Sequence, residues 1–186
     1  MKYIFEIIWI CWFLSEFLIN RFFRSKLNES KILDKNTMRI IWITVIASIS
    51  LGVYVCYFLF LPIRGINTIR YVGLILIIAG MVIRFMAIRT LGKFFTANLA
   101  IQADHKLVKY GLYKYIRHPS YFGSLLSFIG FGLTLNNWIS LFIILIPVLI
   151  SFIYRINIEE KLLSEQIGLE YIDYKKSTKK LLPYIY

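Results

Sequence analysis

PSYFGSLLSFIGFGLTLNNWISLFIILIPVLISFIYRINIEE, from Pro119 to Glu160, is the stretch that decides the fold. Two apolar runs, Pro119–Leu135 and Trp138–Tyr154, each about 17 residues long, are separated only by Asn136 and Asn137. The asparagine pair makes a tight break, so the stretch reads as a helical hairpin in a bilayer it thins slightly. Upstream lie three further apolar runs: Tyr3–Ile19, Ile40–Pro62 and Tyr71–Ile88. The second is long enough to cross a hydrocarbon core of about 30 Å at 1.5 Å per residue. The expected fold is all-α, a polytopic membrane protein of about five transmembrane helices with a cytoplasmic helical tail. No Gly-rich linker divides it, so residues 1–186 read as one membrane domain. Residues 1–92 supply three spans, and 93–186 supply a polar connector, the hairpin and the tail.

Composition agrees. Apolar residues make up 59% of the chain, more than a soluble domain of ordinary makeup carries, and 17% are aromatic. The N-terminal run is preceded only by Lys2, contains Glu6 and Glu16, and has no small-residue cleavage site, so it reads as a mature span. The net charge of +12 is confined to connectors between greasy runs, which argues for membrane orientation and against nucleic-acid binding. Lys and Arg number six after the first run, two after the second, six after the third, none after the fourth and six in the tail. By the positive-inside rule, the N-terminus faces out, and the first connector, third connector and tail are cytoplasmic. Cys11 and Cys56 lie inside apolar runs and read as small buried hydrophobes. Glu16 and Arg84 fall near span ends, where snorkelling would suffice, and Glu6 should face protein, water or the interface. For Arg84 a substrate-facing charge is the competing reading.

Polar density capable of chemistry is concentrated in two places on one side of the membrane. One is HKLVKYGLYKYIRHPSYFG, His105 to Gly123; the other is RINIEEKLLSEQIGLEYIDYKK, Arg155 to Lys176. Proline is well placed at a first helical position, so Pro119 marks a helix start with His118 just before it. The amides of Ser120, Tyr121 and Phe122 would then lack intrahelical partners and attract an anion such as a carboxylate, with Arg117 and His118 as further donors. Equally, Arg117 could be an interfacial anchor and His118 a simple cap. Arg155, Glu159 and Glu160 cluster within about one and a half helical turns. Glu159 and Glu160 could bind ribose hydroxyls or an ammonium group; the bland alternative is a solvated face with an internal ion pair. Ile158, Leu162, Leu163 and Ile167 form an apolar stripe, and Gly168 is placed to end the helix. Two histidines thirteen positions apart do not make a metal site, and no Walker loop, nucleophile elbow or dinucleotide fingerprint is present.

The run Gly111, Tyr113, Arg117, His118, Pro119, Tyr121, Gly123, followed beyond the hairpin by Glu159 and Glu160, resembles the isoprenylcysteine carboxyl methyltransferase family and the related phospholipid methyltransferases. His105 to Val108, Tyr171, Tyr174, Leu182 and Pro183 also fit. Lys180 departs, standing where many members have arginine. The likeness covers roughly residues 100–184, and the N-terminal half agrees in hydropathy alone. The resemblance implies S-adenosylmethionine as methyl donor and no metal. It implies cofactor-site roles for Lys106, Val108, Gly111, Tyr113, His118, Pro119, Tyr121, Glu159 and Glu160. Gly111 would allow close backbone approach. Arg155 or Arg117 would hold a substrate carboxylate, and Glu159 would join the catalytic set. The acceptor implied is a lipophilic or lipidated molecule in the bilayer, most simply a carboxylate. Alternatives are a phospholipid or other amine, for which Glu159 or Glu160 would serve as base, or a thiol. More distant readings are an NADPH-dependent sterol-type reductase, against which Ser120 stands where those proteins have Asn, and a membrane protein without catalysis.

Overall fold

The computed structural model describes residues 2–23, 36–59, 61–63, 66–95 and 107–182. They form six α-helices: α1 (Lys2–Phe22), α2 (Asn36–Phe58), α3 (Ile66–Leu91), α4 (Pro119–Thr134), α5 (Trp138–Ile167) and α6 (Leu169–Ser177). Short 3₁₀ turns cover Gly92–Phe94 and Gly111–Lys114. The helices α1, α2, α3 and α5 are long and apolar enough to cross a membrane. The 16-residue α4 rises only about 24 Å at 1.5 Å per residue, short of a hydrocarbon core of about 30 Å.

That short helix lies at the centre of the bundle. Small residues let its backbone touch α3: a methyl group added at Gly80 would sit 2.4 Å from the Gly123 carbonyl oxygen, and one at Gly130 would sit 2.5 Å from that of Gly73. Glycines seven apart on both helices meet in pairs, the close approach by which membrane helices associate without a hydrophobic drive. Ser127 adds a hydrogen bond to the Ile77 carbonyl at 3.2 Å. On its other side α4 receives an aromatic cluster, with Trp12 of α1 edge-on to Phe128 at 5.0 Å between ring centres. Large apolar side chains such as Ile10, Ile43, Ile75 and Ile146 are exposed on the outer helices, where lipid covers them. Cys11 is exposed among them and Cys56 half-buried, so the two thiols are not the buried hydrophobes expected.

The hairpin turn forms as its asparagines dictate. Asn136 takes the left-handed conformation (φ 51°), and Asn137 caps α5 by accepting from the amides of Ile139 (2.9 Å) and Ser140 (3.2 Å). Asn137 Nδ2 donates to the Leu59 carbonyl, which ties this turn to the end of α2. The second and fourth connectors therefore share one end of the bundle. At the other end Phe23 packs on Phe95 (5.3 Å), Arg155 donates to Thr37 (2.9 Å) and Arg117 reaches the tail. Residues flanking the first connector, the third connector and the tail thus meet at one pole, matching the two-sided grouping read from charge.

One boundary differs from expectation. The fifth span does not stop at Tyr154: α5 runs unbroken over 30 residues to Ile167, so Arg155, Glu159 and Glu160 ride on a helical extension of the span. No glycine or proline interrupts it between Pro147 and Gly168. Gly168, at φ 69°, then ends it as anticipated and starts α6.

Candidate active site

The start of α4 is built as Pro119 requires. His118 sits at the N-cap with φ −123° and ψ 56°, short of the extended conformation a following proline favours, and Pro119 holds the first helical position. The first intrahelical bond runs from the Phe122 amide to the His118 carbonyl at 3.1 Å. Only the amides of Ser120 and Tyr121 therefore stand outside the ladder, not that of Phe122 as expected. The residues before Pro119 pair with the tail like a short parallel bridge. The Arg117 amide donates to Lys179 O at 2.8 Å, the His118 amide to Lys180 O at 3.2 Å, and the Lys179 amide to Tyr115 O at 3.1 Å. Nothing in the residue pattern announces this docking, because it joins segments about sixty positions apart.

Below the bridge, α4 and the extension of α5 face each other in two layers. In the tail-facing layer Glu160 is almost wholly buried. Arg117 Nε approaches it at 2.7 Å, His118 Nε2 and Lys175 Nζ at 3.4 Å each, and Lys180 Nζ at 3.8 Å. Arg117 also donates to the carbonyls of Lys175 (3.1 Å) and Thr178. Lys180 Nζ donates to Asn157 Oδ1 at 3.0 Å. In the cavity-facing layer the Tyr121 hydroxyl accepts from Arg155 Nε at 2.7 Å and donates to Glu159 Oε2 at 3.0 Å. Glu159 lies 4.0 Å from His118 Nδ1 and keeps 29% of its side chain exposed, against 5% for Glu160.

This second layer opens on a cavity of about 190 Å³. Val108, Tyr113, Arg117, His118, Tyr121, Arg155 and Glu159 line it, as do apolar side chains from α1, α2 and α4 such as Trp12, Trp42 and Phe128. Glu160, Pro119 and Gly111 do not line it. Pro119 starts the helix, Glu160 holds the tail, and Gly111 is needed for its left-handed φ of 61°. Among the described residues, a methyl group at Gly111 would make only ordinary contact with Thr90, at 3.5 Å. Lys106 and His105 lie outside the described residues.

Sequence reasoning passed over part of the wall. Arg84 and Glu16 are not snorkelling at span ends: they pair at 2.9 Å beside the cavity, each 14% exposed. Arg84 also donates to Ser120 O and Oγ at 3.1 Å each, and Ser124 donates to Glu16 at 3.3 Å. Three helices meet in this cluster; the cue was two charges of opposite sign inside apolar runs. Tyr171 and Tyr174 reach the cavity from α6. Burial pushes the phenols of Tyr113, Tyr171 and Tyr174 well above their ordinary pKa, so all three remain neutral donors at physiological pH.

Several buried polar atoms on this wall have no hydrogen-bond partner among the described residues: Arg84 Nε, Trp12 Nε1 and the Tyr171 hydroxyl. Leaving such a donor unsatisfied costs about 1–3 kcal/mol. A cavity walled by orphaned donors, the part-exposed Glu159 carboxylate and the Arg155 guanidinium suits a polar, mixed-charge ligand with an apolar neighbour.

Comparison with known proteins gives the same direction. The family model of the isoprenylcysteine carboxyl methyltransferases matches residues 73–165, half of the chain. The sequence is similar to protein-S-isoprenylcysteine O-methyltransferase A of Arabidopsis thaliana, 37% identical over 115 residues that cover 61% of this chain and 58% of that one. It is 39% identical over 115 residues to the Saccharomyces cerevisiae protein-S-isoprenylcysteine O-methyltransferase, covering 61% of this chain and 48% of that one. The fold resembles the solved structure of a eukaryotic intramembrane Ras methyltransferase, with a TM-score of 0.61 and 30% identity over 77% of this chain and 52% of that one. This chain therefore spans about half to three-fifths of the length of such relatives. With the family model extending from α3 to the far end of α5 and the polytopic helical fold shared, the chain belongs to the isoprenylcysteine carboxyl methyltransferase family.

Proposed function

We propose that this chain is an integral membrane methyltransferase that uses S-adenosylmethionine to methylate the carboxylate of a lipophilic, lipid-anchored acceptor. The observation that carries this reading is the Tyr121 hydroxyl shared by Arg155 and Glu159 on the wall of one cavity. A cation and an anion held side by side on one cavity wall fit the two partners such a reaction needs. The relatives are named as O-methyltransferases of isoprenylcysteine proteins, which favours a carboxylate over an amine or a thiol.

When bound, S-adenosylmethionine supplies an electrophilic methyl group on a sulfonium. The orphaned donors and mixed charge of the wall fit that molecule. Glu159 would accept from its ribose hydroxyls or ammonium group, with Val108, Tyr113, His118 and Tyr121 shaping the same face. The start of α4, with the amides of Ser120 and Tyr121 unladdered, suits its carboxylate. Glu160, Pro119 and Gly111 would act by holding the tail, the helix start and the turn rather than by touching the ligand. Arg155, fixed by Tyr121 and Thr37, would orient the acceptor carboxylate, whereas Arg117 is engaged by Glu160 and the tail. A carboxylate acceptor needs no general base, so the protein's share is alignment and exclusion of water. Apolar residues of α1 and α2 would receive the lipid part.

The bias of Lys and Arg toward one set of connectors supports a cytoplasmic position for the pole that bears this cavity, with the N-terminus outside. Transfer of a labelled methyl group, measured in liposomes against lipophilic carboxylates, aminolipids and thiols, tests the reading. Incorporation into the carboxylates as base-labile ester is expected; incorporation only into amines or thiols would overturn the acceptor assignment.

A further inference from the structure

Helix α6 brings two tyrosines three positions apart to one inward face. Gly168 turns the chain, and the Tyr171 amide bonds back to Gly168 O at 3.1 Å. Both rings are buried and both line the cavity, yet the two hydroxyls fare differently. Tyr174 donates to Tyr113 O at 2.6 Å and so fastens α6 to the connector. Tyr171 is 1% exposed, and its hydroxyl finds no partner among the described residues. A buried phenol that only packed would be better replaced by phenylalanine, since the unmade hydrogen bond is a loss with no return.

We propose that the Tyr171 hydroxyl is a further cofactor-positioning donor, which completes its hydrogen bond on the nucleoside part of the bound methyl donor. This rests on the methyl-donor reading above and adds to it a residue outside the helix start and the glutamate pair. The choice of the nucleoside follows from what surrounds the phenol. Glu160 and Glu159 both contribute negative potential at Tyr171 and, after burial, raise its pKa further, with Arg117 opposing. A ligand carboxylate is disfavoured beside those two charges. An ammonium group has no lone pair to accept a hydrogen bond. Ribose oxygens and adenine ring nitrogens are the acceptors left for a neutral phenol there.

The test compares Tyr171→Phe with the wild-type full chain in detergent, reading the melting temperature without ligand and the Kd of S-adenosylhomocysteine and of methylthioadenosine by calorimetry. The variant is expected to melt at the wild-type temperature or up to about 3 °C higher, while its Kd for both ligands rises about tenfold. Tyr174→Phe is the contrast, and it should lower the ligand-free melting temperature. An unchanged Kd in Tyr171→Phe overturns the proposal. So does a lowered ligand-free melting temperature, which would mean that the hydroxyl already has a partner. A loss seen with S-adenosylhomocysteine but not with methylthioadenosine overturns the nucleoside assignment. If the folded wild type binds neither ligand, the methyl-donor reading itself fails and takes this inference with it.

Discussion

Glu159 and Glu160 are neighbours on one helix, yet they belong to different regions of the molecule. Glu160 looks toward the tail, where Arg117, His118, Lys175 and Lys180 surround it and almost no surface is left. Glu159 looks into the cavity, touches Tyr121 and keeps a free face. About 100° of rotation per residue along an α-helix is enough to separate a staple from a cavity-facing group. The lesson is that a paired-glutamate motif need not mean two ligands: here one carboxylate builds the wall that presents the other. The same division runs through the helix start, where Arg117 fastens the tail and Tyr121 faces the cavity.

The contrast can be broken from either side. The largest effect is expected for Glu160→Gln, which strands Arg117 in a buried site. Removing one member of such a pair costs on the order of 3 kcal/mol, so the melting temperature should fall by roughly 10 °C. Limited proteolysis of residues 169–182 should accelerate in parallel. Next comes Glu159→Gln, expected to weaken S-adenosylhomocysteine binding at least tenfold, about 1.4 kcal/mol, while melting moves by less than about 3 °C. A melting loss as large as that of Glu160→Gln would erase the distinction. Tyr121→Phe removes the hydroxyl that bridges Arg155 and Glu159. Its methyl-transfer kcat/KM should fall about tenfold as the two charge-assisted hydrogen bonds to Arg155 and Glu159 are lost. The smallest effect belongs to Lys180→Arg, since the charge stays beside Glu160 and Asn157; stability should move by less than about 0.5 kcal/mol in a denaturation midpoint.

Much of the bundle is legible in the residue order because its signals are local. Apolar length marks the runs, Pro119 marks a helix start, Asn136 and Asn137 mark the hairpin, and Gly168 marks a helix end. The grouping of connectors at two poles follows from where lysine and arginine fall. What escapes a linear reading depends on partners distant in sequence. The Arg84–Glu16 pair joins positions 68 residues apart, and either charge alone looks like a residue reaching for the interface. The glycine contacts of α3 and α4 need the helices' rotation, which hydropathy does not specify. Continuity of α5 past Tyr154 was obscured because polarity changes there although backbone propensity does not. The split roles of Glu159 and Glu160 emerge only when the tail is docked. Lys106, expected beside Val108, lies outside the described residues.

The most direct test of the central claim is calorimetric titration of S-adenosylhomocysteine into the purified wild-type chain and Glu159→Gln, with folding of both checked by thermal melting. Saturable binding by the wild type, weakened at least tenfold in the variant at little change in melting, is the predicted result. Equal affinity in the two proteins, or no binding by a folded wild type, would contradict the account.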